Sequence, residues 1–98
     1  MFLRIIKTYR NVVAVCDADL LGKRFEEGKF QIDVKENFFK GEKVSEEKAI
    51  EIMQSMLEED ATFNIVGEKS VKTALKAGVI SEEGIKKIQD IPFALILM

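Results

Sequence analysis

The first sixteen residues hold two apolar runs, MFLRIIK at 1–7 and NVVAVC at 11–16, with only Thr8, Tyr9 and Arg10 between them. The second run is rich in β-branched residues, which suit a pleated, half-buried surface. Two such runs so close together predict an antiparallel hairpin, and the chain is thereby committed to a sheet built around it. No Asn-Gly pair fixes the turn type. Further on, Phe30, Ile32 and Val34 alternate with Gln31, Asp33 and Lys35. That period of two predicts a strand with one face buried, Phe25 and Phe30 both going to the core. TFNIV at 62–66 predicts another short strand. FALILM at 93–98 follows Pro92, which cannot continue a helix, and predicts a buried one.

Helical spacing appears in the second half. Ser45 is a suitable N-cap, with Glu46 and Glu47 in the first turn where they favour the helix dipole. Ala49, Ile50, Ile52, Met53, Met56 and Leu57 then recur on one side. Glu58, Glu59 and Asp60 crowd the far end, where negative charge is unfavourable, so the helix should stop there. A second helix is expected from Glu68 or Lys69 to Ala77, with Val71, Ala74 and Leu75 inward and Gly78 as its stop. Ser81 predicts the cap of a third, short helix with Ile85 and Ile88 buried. Gly84 weakens it by about 1 kcal/mol relative to Ala. Residues 18–27 are ambiguous: Leu20, Leu21 and Phe25 face a core from an irregular turn or a short helix. The expected architecture is α+β: a single compact domain over 1–98, with a mixed sheet of about four or five strands and about three helices packed on one face.

Composition narrows the chemistry. The chain has 98 residues, one Cys and no His. A single Cys16 excludes an intramolecular disulfide framework and fits a reducing cytoplasm. The absence of His removes His-containing zinc sites, Ser-His and Cys-His catalysis, and the commonest general base. No apolar run reaches the roughly 18 residues that span a bilayer. The net charge of −2 argues against a large polyanion footprint. The charge is uneven, however. Residues 1–43 carry nine Lys/Arg against seven Asp/Glu, while 44–98 carry six against ten.

Four features bear on function. Asp17 and Asp19 follow the strand VVAVC, and two strand-end carboxylates are the local pattern of a Mg²⁺-dependent phosphoryl-transfer site. That pattern in the haloacid-dehalogenase enzymes carries Thr or Val where Leu21 stands here, on a far larger fold. A turn-capping role for both Asp residues is the commoner meaning. Second, Cys16 lies in an apolar strand beside acids, with nothing to activate it as a nucleophile. Third, Gly67 opens the second helix after Asn64, and Lys69, Lys72 and Lys76 follow on one side. A helix start with a basic stripe is a phosphate-binding pattern, though a solvated lysine face has the same spacing. Fourth, Lys23 and Arg24 belong to a series of cations interleaved with phenylalanines. Phe38 and Phe39 are adjacent, so in an extended segment only one faces inward, and the other is open to stack on a base or meet a partner.

The order of segments carries a resemblance. CDADLLGKRFEEGKFQIDV, ENFFKGEKVSEEKAIEIM, FNIVGEKSVKTALKAGVI and IKKIQDIPFALI together resemble a small archaeal family known as domain of unknown function 424, across about residues 3–97. Members often carry a His after the Pro, where this chain has Phe93. The resemblance implies a cytoplasmic α+β protein and places Asp17, Lys23, Glu42, Asn64, Gly67 and Glu68 where a site should be sought. It brings no reaction and no catalytic residues.

The function expected is a binding module that is not an enzyme and needs no cofactor, contacting RNA or a translation-related assembly. Lys23, Arg24, Lys69, Lys72, Lys76, Asn64 and Gly67 would meet phosphate, and Phe38 or Phe39 would stack. The alternative is a protein-interaction subunit or homo-oligomer using Phe38, Phe39 or FALILM. A phosphoryl-transfer enzyme using Asp17 and Asp19 ranks third.

Overall fold

The structure, a computed structural model, describes residues 1–96. The two N-terminal runs form the expected hairpin: β1 (Phe2–Ile6) and β2 (Val12–Cys16) pair antiparallel, Leu3 opposite Val15 and Ile6 opposite Val12. β2 then pairs in parallel with β6 (Thr62–Val66). The long link between them holds a separate hairpin, β3 (Arg24–Glu27) with β4 (Phe30–Asp33), a single-turn helix α1 (Glu36–Phe39), β5 (Glu42–Lys43) and α2 (Glu46–Glu58). After β6 come α3 (Glu68–Ala77), β7 (Lys86–Ile88) and β8 (Ile91–Ile96). The main sheet has six strands in the order β5-β1-β2-β6-β8-β7, and β3 and β4 form a second sheet of two. The result is α+β with a mixed sheet, holding more strands than the sequence predicted.

Alternation along the strands sorts the core into two layers. Leu3, Val13, Val15, Phe63, Ile65 and Ala94 face α2 and α3 and pack on Ala49, Met53, Val71 and Ala74. Ala14, Cys16 and Val66 face the other way, against Leu20, Val34 and Phe39. Because β2 is covered on both sides, its residues from Val13 to Cys16 are all fully buried. Burying both faces explains why NVVAVC reads as a continuous apolar run with no alternation.

Several expectations are corrected. The helices do not share one face: α2 and α3 cover one, whereas α1 and the β3–β4 hairpin cover part of the other. Ser81 does not cap an α-helix. Glu82–Gly84 forms one 3-10 turn, and the next residues form β7, whose Ile88 pairs with Ile91 across Gln89 and Asp90. Both of those residues have positive φ, as a tight two-residue hairpin requires. Ile85 and Ile88 have helical spacing, but pairing with the apolar strand β8 outweighs a weak local preference interrupted by Gly84. Phe30 is 72% exposed rather than in the core, because its hairpin ends before it can cover that ring. Residues 18–27 resolve into a 3-10 turn, Ala18–Leu20, and β3. The strand reading of FALILM holds as far as Ile96; Leu97 and Met98 lie outside the described residues.

Candidate functional site

α3 begins without a cap of its own. Its N-cap residue is Gly67, which has no side chain to accept from the first-turn N–H groups. The acceptor arrives from fifty residues away. Asp17, at the carboxyl end of the neighbouring parallel strand β2, accepts from the Lys69 N–H at 3.1 Å through Oδ2. Its Oδ1 accepts from the Ser70 N–H and the Ser70 hydroxyl, both at 2.8 Å. The backbone of Asp17 also donates to the Val66 carbonyl at 3.1 Å, which fixes the carboxylate in register with the helix start. Asp17 and Ser70 are buried with their hydrogen bonds complete.

Gly67 is required by this arrangement. It has φ +111, and a Cβ there would lie 2.3 Å from the Asp17 carboxyl carbon. Its N–H donates to the Pro92 carbonyl at 2.8 Å. Asp17, Gly67, Ser70 and Pro92 thus join β2, β6, α3 and β8 at one corner. An anion at this helix start would have to displace Asp17, so the phosphate role expected of Gly67 is already taken by a side chain of the protein. Outside the corner lies a shallow cleft of about 320 Å³ lined by Met1, Asp17, Ala18, Asp19, Glu68 and Lys69. Asp19 is exposed on the 3-10 turn and shares the cleft with Asp17, whose two oxygens are already held by Lys69 and Ser70. Among the described residues no group of three or more His, Cys, Asp or Glu side chains could hold a metal ion. Behind the corner, burial pushes the Cys16 thiol up to about 11, with the Asp17 charge adding to the effect.

The remaining candidates scatter. Lys69 and Lys72 are exposed on α3. Lys76, on the same side, donates to Glu46 of α2 at 2.5 Å. The stripe therefore runs beside a helix carrying Glu46, Glu47, Glu51 and Glu58 against one Lys48. Lys23 and Arg24 lie at the start of β3, and Arg24 is engaged with Glu26 at 2.8 Å and with Gln31. Asn64 is half-buried on β6, on the face away from α2 and α3. The helical turn of α1 splits the two phenylalanines. Phe39 is buried against Ala14 and Cys16 and has no free ring face for a base, whereas Phe38 is half-buried edge-on to it with ring centres 5.0 Å apart. Glu42 is exposed on β5, and Glu68 is exposed beside Lys69.

Sequence reasoning missed one surface. On the face away from α2 and α3, the cover supplied by α1 and the β3–β4 hairpin reaches the row Phe2, Cys16, Val66 and Phe93 and extends past it only at Ala14. The next rows are Arg4, Ala14, Asn64 and Leu95, then Ile6, Val12 and Thr62. Arg4 lies over its row, its guanidinium donating to the Asn37 carbonyl of α1. Ile6, Val12, Thr62 and Asn64 are only half-buried, and Leu95 is 53% exposed. Local sequence carries no signal for it: Ile6 and Val12 read like any other strand residues, and their exposure is set by how far the segment 18–45 reaches across the sheet.

The comparisons bear on the family and the fold. The family described as a protein of unknown function, DUF424, matches residues 6–98, and the chain belongs to that family. Its fold is that of a crystal structure of an uncharacterized conserved protein from Methanopyrus kandleri. The TM-score is 0.86 and the identity 24%, over 97% of this chain and 88% of that one. No curated protein matches the chain. Among the described residues no helix is long and apolar enough to cross a membrane.

Proposed function

We propose that this protein is a cytoplasmic binding module without chemistry of its own, and that its ligand is another polypeptide held on the unroofed part of the sheet. The observation that carries this is the half-open strip in which Ile6, Val12 and Leu95 flank Thr62 and Asn64. Aliphatic surface left at the edge of a covered face is what a protein partner buries. Sheets that read nucleic acid stack bases on aromatic rings, and this strip has none. The competing corner offers less, because both oxygens of Asp17 are engaged inside the protein.

The RNA reading keeps one favourable observation: Lys69 and Lys72 are exposed on the same side of α3 and make no ion pair among the described residues. Site-specific photo-crosslinking in living cells separates the two, with p-benzoylphenylalanine placed at position 95 or at position 72. The protein-binding reading expects adducts at 95 that survive nuclease and are lost to protease. Nuclease-sensitive adducts at 72, with none at 95, would replace it with the RNA reading.

A further inference from the structure

The main sheet ends in four stretches of unpaired strand edge among the described residues, and three are guarded. β5 is two residues long and carries Glu42 and Lys43. β7 is three long and carries Lys86 and Lys87. β1 beyond Leu3 is backed by Gly41, where a Cβ would lie 2.3 Å from the Leu3 carbonyl, and is flanked by Arg4 and Lys7. Short length, charge and a covering backbone are the usual means of stopping edge-to-edge pairing. The fourth stretch is also short, three residues, but it carries no charge and no backbone bond closes it. β7 pairs with β8 only as far as Lys86 opposite Phe93. The Pro92 carbonyl faces β6, so by alternation the next bonded rung on the β7 side would join Gly84 to Leu95, but the Gly84 N–H turns to the Ser81 carbonyl at 3.0 Å. From residue 94 onward β8 is paired on its β6 side alone. Residues 91–96 carry no charge.

We propose that this edge, residues 94–96, pairs with the same segment of a second copy, the two strands running antiparallel across a two-fold axis. The inference rests on the protein-binding reading above and names its partner. Unpaired backbone donors and acceptors require a strand, and an uncharged edge selects an uncharged one. β3, β4, β5 and β7 all carry charges, so the strand on this molecule that fits is β8 itself. Antiparallel pairing about a two-fold axis places the apolar residues 94 and 95 against apolar residues and closes at two copies. Leu95 shares its face with the strip of Val12, Thr62 and Asn64, so the union joins two strips into one longer surface.

Sedimentation equilibrium from 1 µM to 1 mM tests this on the whole chain. The expected result is a concentration-dependent species of twice 11.1 kDa and nothing larger. Leu95→Lys should weaken it by roughly tenfold or more, because a charge enters the paired edge. Ile5→Lys, an exposed position on the opposite face of the sheet, should leave it within about twofold. Should Leu95→Lys fail to fold by circular dichroism, wild-type protein mixed from two isotope labellings decides. Intermolecular contacts between the strand protons of 94–96 are then expected. A monomer at every concentration, a dimer indifferent to Leu95→Lys, intermolecular contacts that exclude 94–96, or open-ended growth would each overturn the proposal. A monomer that still crosslinks to protein at position 95 sinks self-pairing alone and leaves the binding module standing.

Discussion

The sheet face opposite α2 and α3 is built differently at its two ends. Where β2 and β6 finish, it is sealed. Phe39, Val34 and Leu20 lie over Cys16 and Val66, and the Asp17 carboxylate ties the start of α3 into the same corner. Gln89 adds a clasp, its N–H donating to Glu27 and its side-chain amide to the Glu26 carbonyl. Where those strands begin, Ile6, Val12 and Thr62 stand half-bare. The same strands run through both ends, and Ile6 and Val12 are as apolar as Cys16 and Val66, so strand propensity does not explain why they stay half-bare. The roof comes from one segment, 18–45, and that segment ends before the sheet does. A closed end that satisfies its own polar groups has little left to offer a ligand. The open end keeps apolar surface that folding alone does not bury.

This contrast is most easily broken by truncating its roof. Phe39→Ala should cost about 3–5 kcal/mol in urea unfolding, as expected for a buried aromatic. Leu95→Ser, measured where the protein is monomeric, should stay within about 0.5 kcal/mol. Equal costs at the two positions would mean that the open end is as closed as the other. At the sealed corner, Gly67→Ala should cost about 3 kcal/mol, since it forces a side chain at φ +111 and drives it into Asp17. Differential scanning calorimetry would show a lowered Tm. A change of less than 1 kcal/mol would mean the corner yields.

The thiol beneath that corner gives a pH signature of comparable or smaller size. Cys16 ionises near its ordinary 9.0 when unfolded and near about 11 when folded. Its contribution is therefore complete below pH 9 and is lost as pH rises toward 11, by on the order of 2 kcal/mol. Chemical denaturation of wild type and Cys16→Ala across that window should diverge in slope, the wild type falling faster. A smaller loss than at Gly67 is expected at the cap itself. Asp17→Asn keeps the shape but presents an amide N–H₂ to donors that one carboxylate oxygen formerly accepted. It should cost about 1–2 kcal/mol by urea titration.

The hairpin of β1 and β2, the strand 62–66 and the extents of α2 and α3 were legible because each is a local pattern. Ser45 does accept from the Lys48 N–H, and Gly78 does end α3 in the left-handed conformation. What escaped was decided at long range. Asp17 is followed by turn residues and reads locally as a turn cap or a metal ligand. Its real partner is 52 residues away, and the clue was a helix that starts at Gly67 with no Ser, Thr, Asp or Asn to cap it. β7 was hidden because Lys86-Lys87-Ile88 has no strand signal without β8 beside it. Phe38 and Phe39 read from the sequence as extended backbone, where neighbours point opposite ways. In the helical turn they lie about 100° apart, so both reach the core layer, Phe39 fully and Phe38 in part. The open strip could not be read at all, since it depends on how far one segment's roof extends over strands elsewhere.

The central claim is that the open end of the sheet, and not the Asp17 corner or the α3 lysines, meets the ligand. Backbone amide spectra of labelled protein, recorded in buffer and in extract of its own cells with and without nuclease, test it most directly. The account predicts shifts or broadening at Ile6, Val12, Thr62, Asn64 and Leu95 that persist after nuclease. Perturbation confined to Lys69, Lys72 and Asp19, and abolished by nuclease, would contradict it.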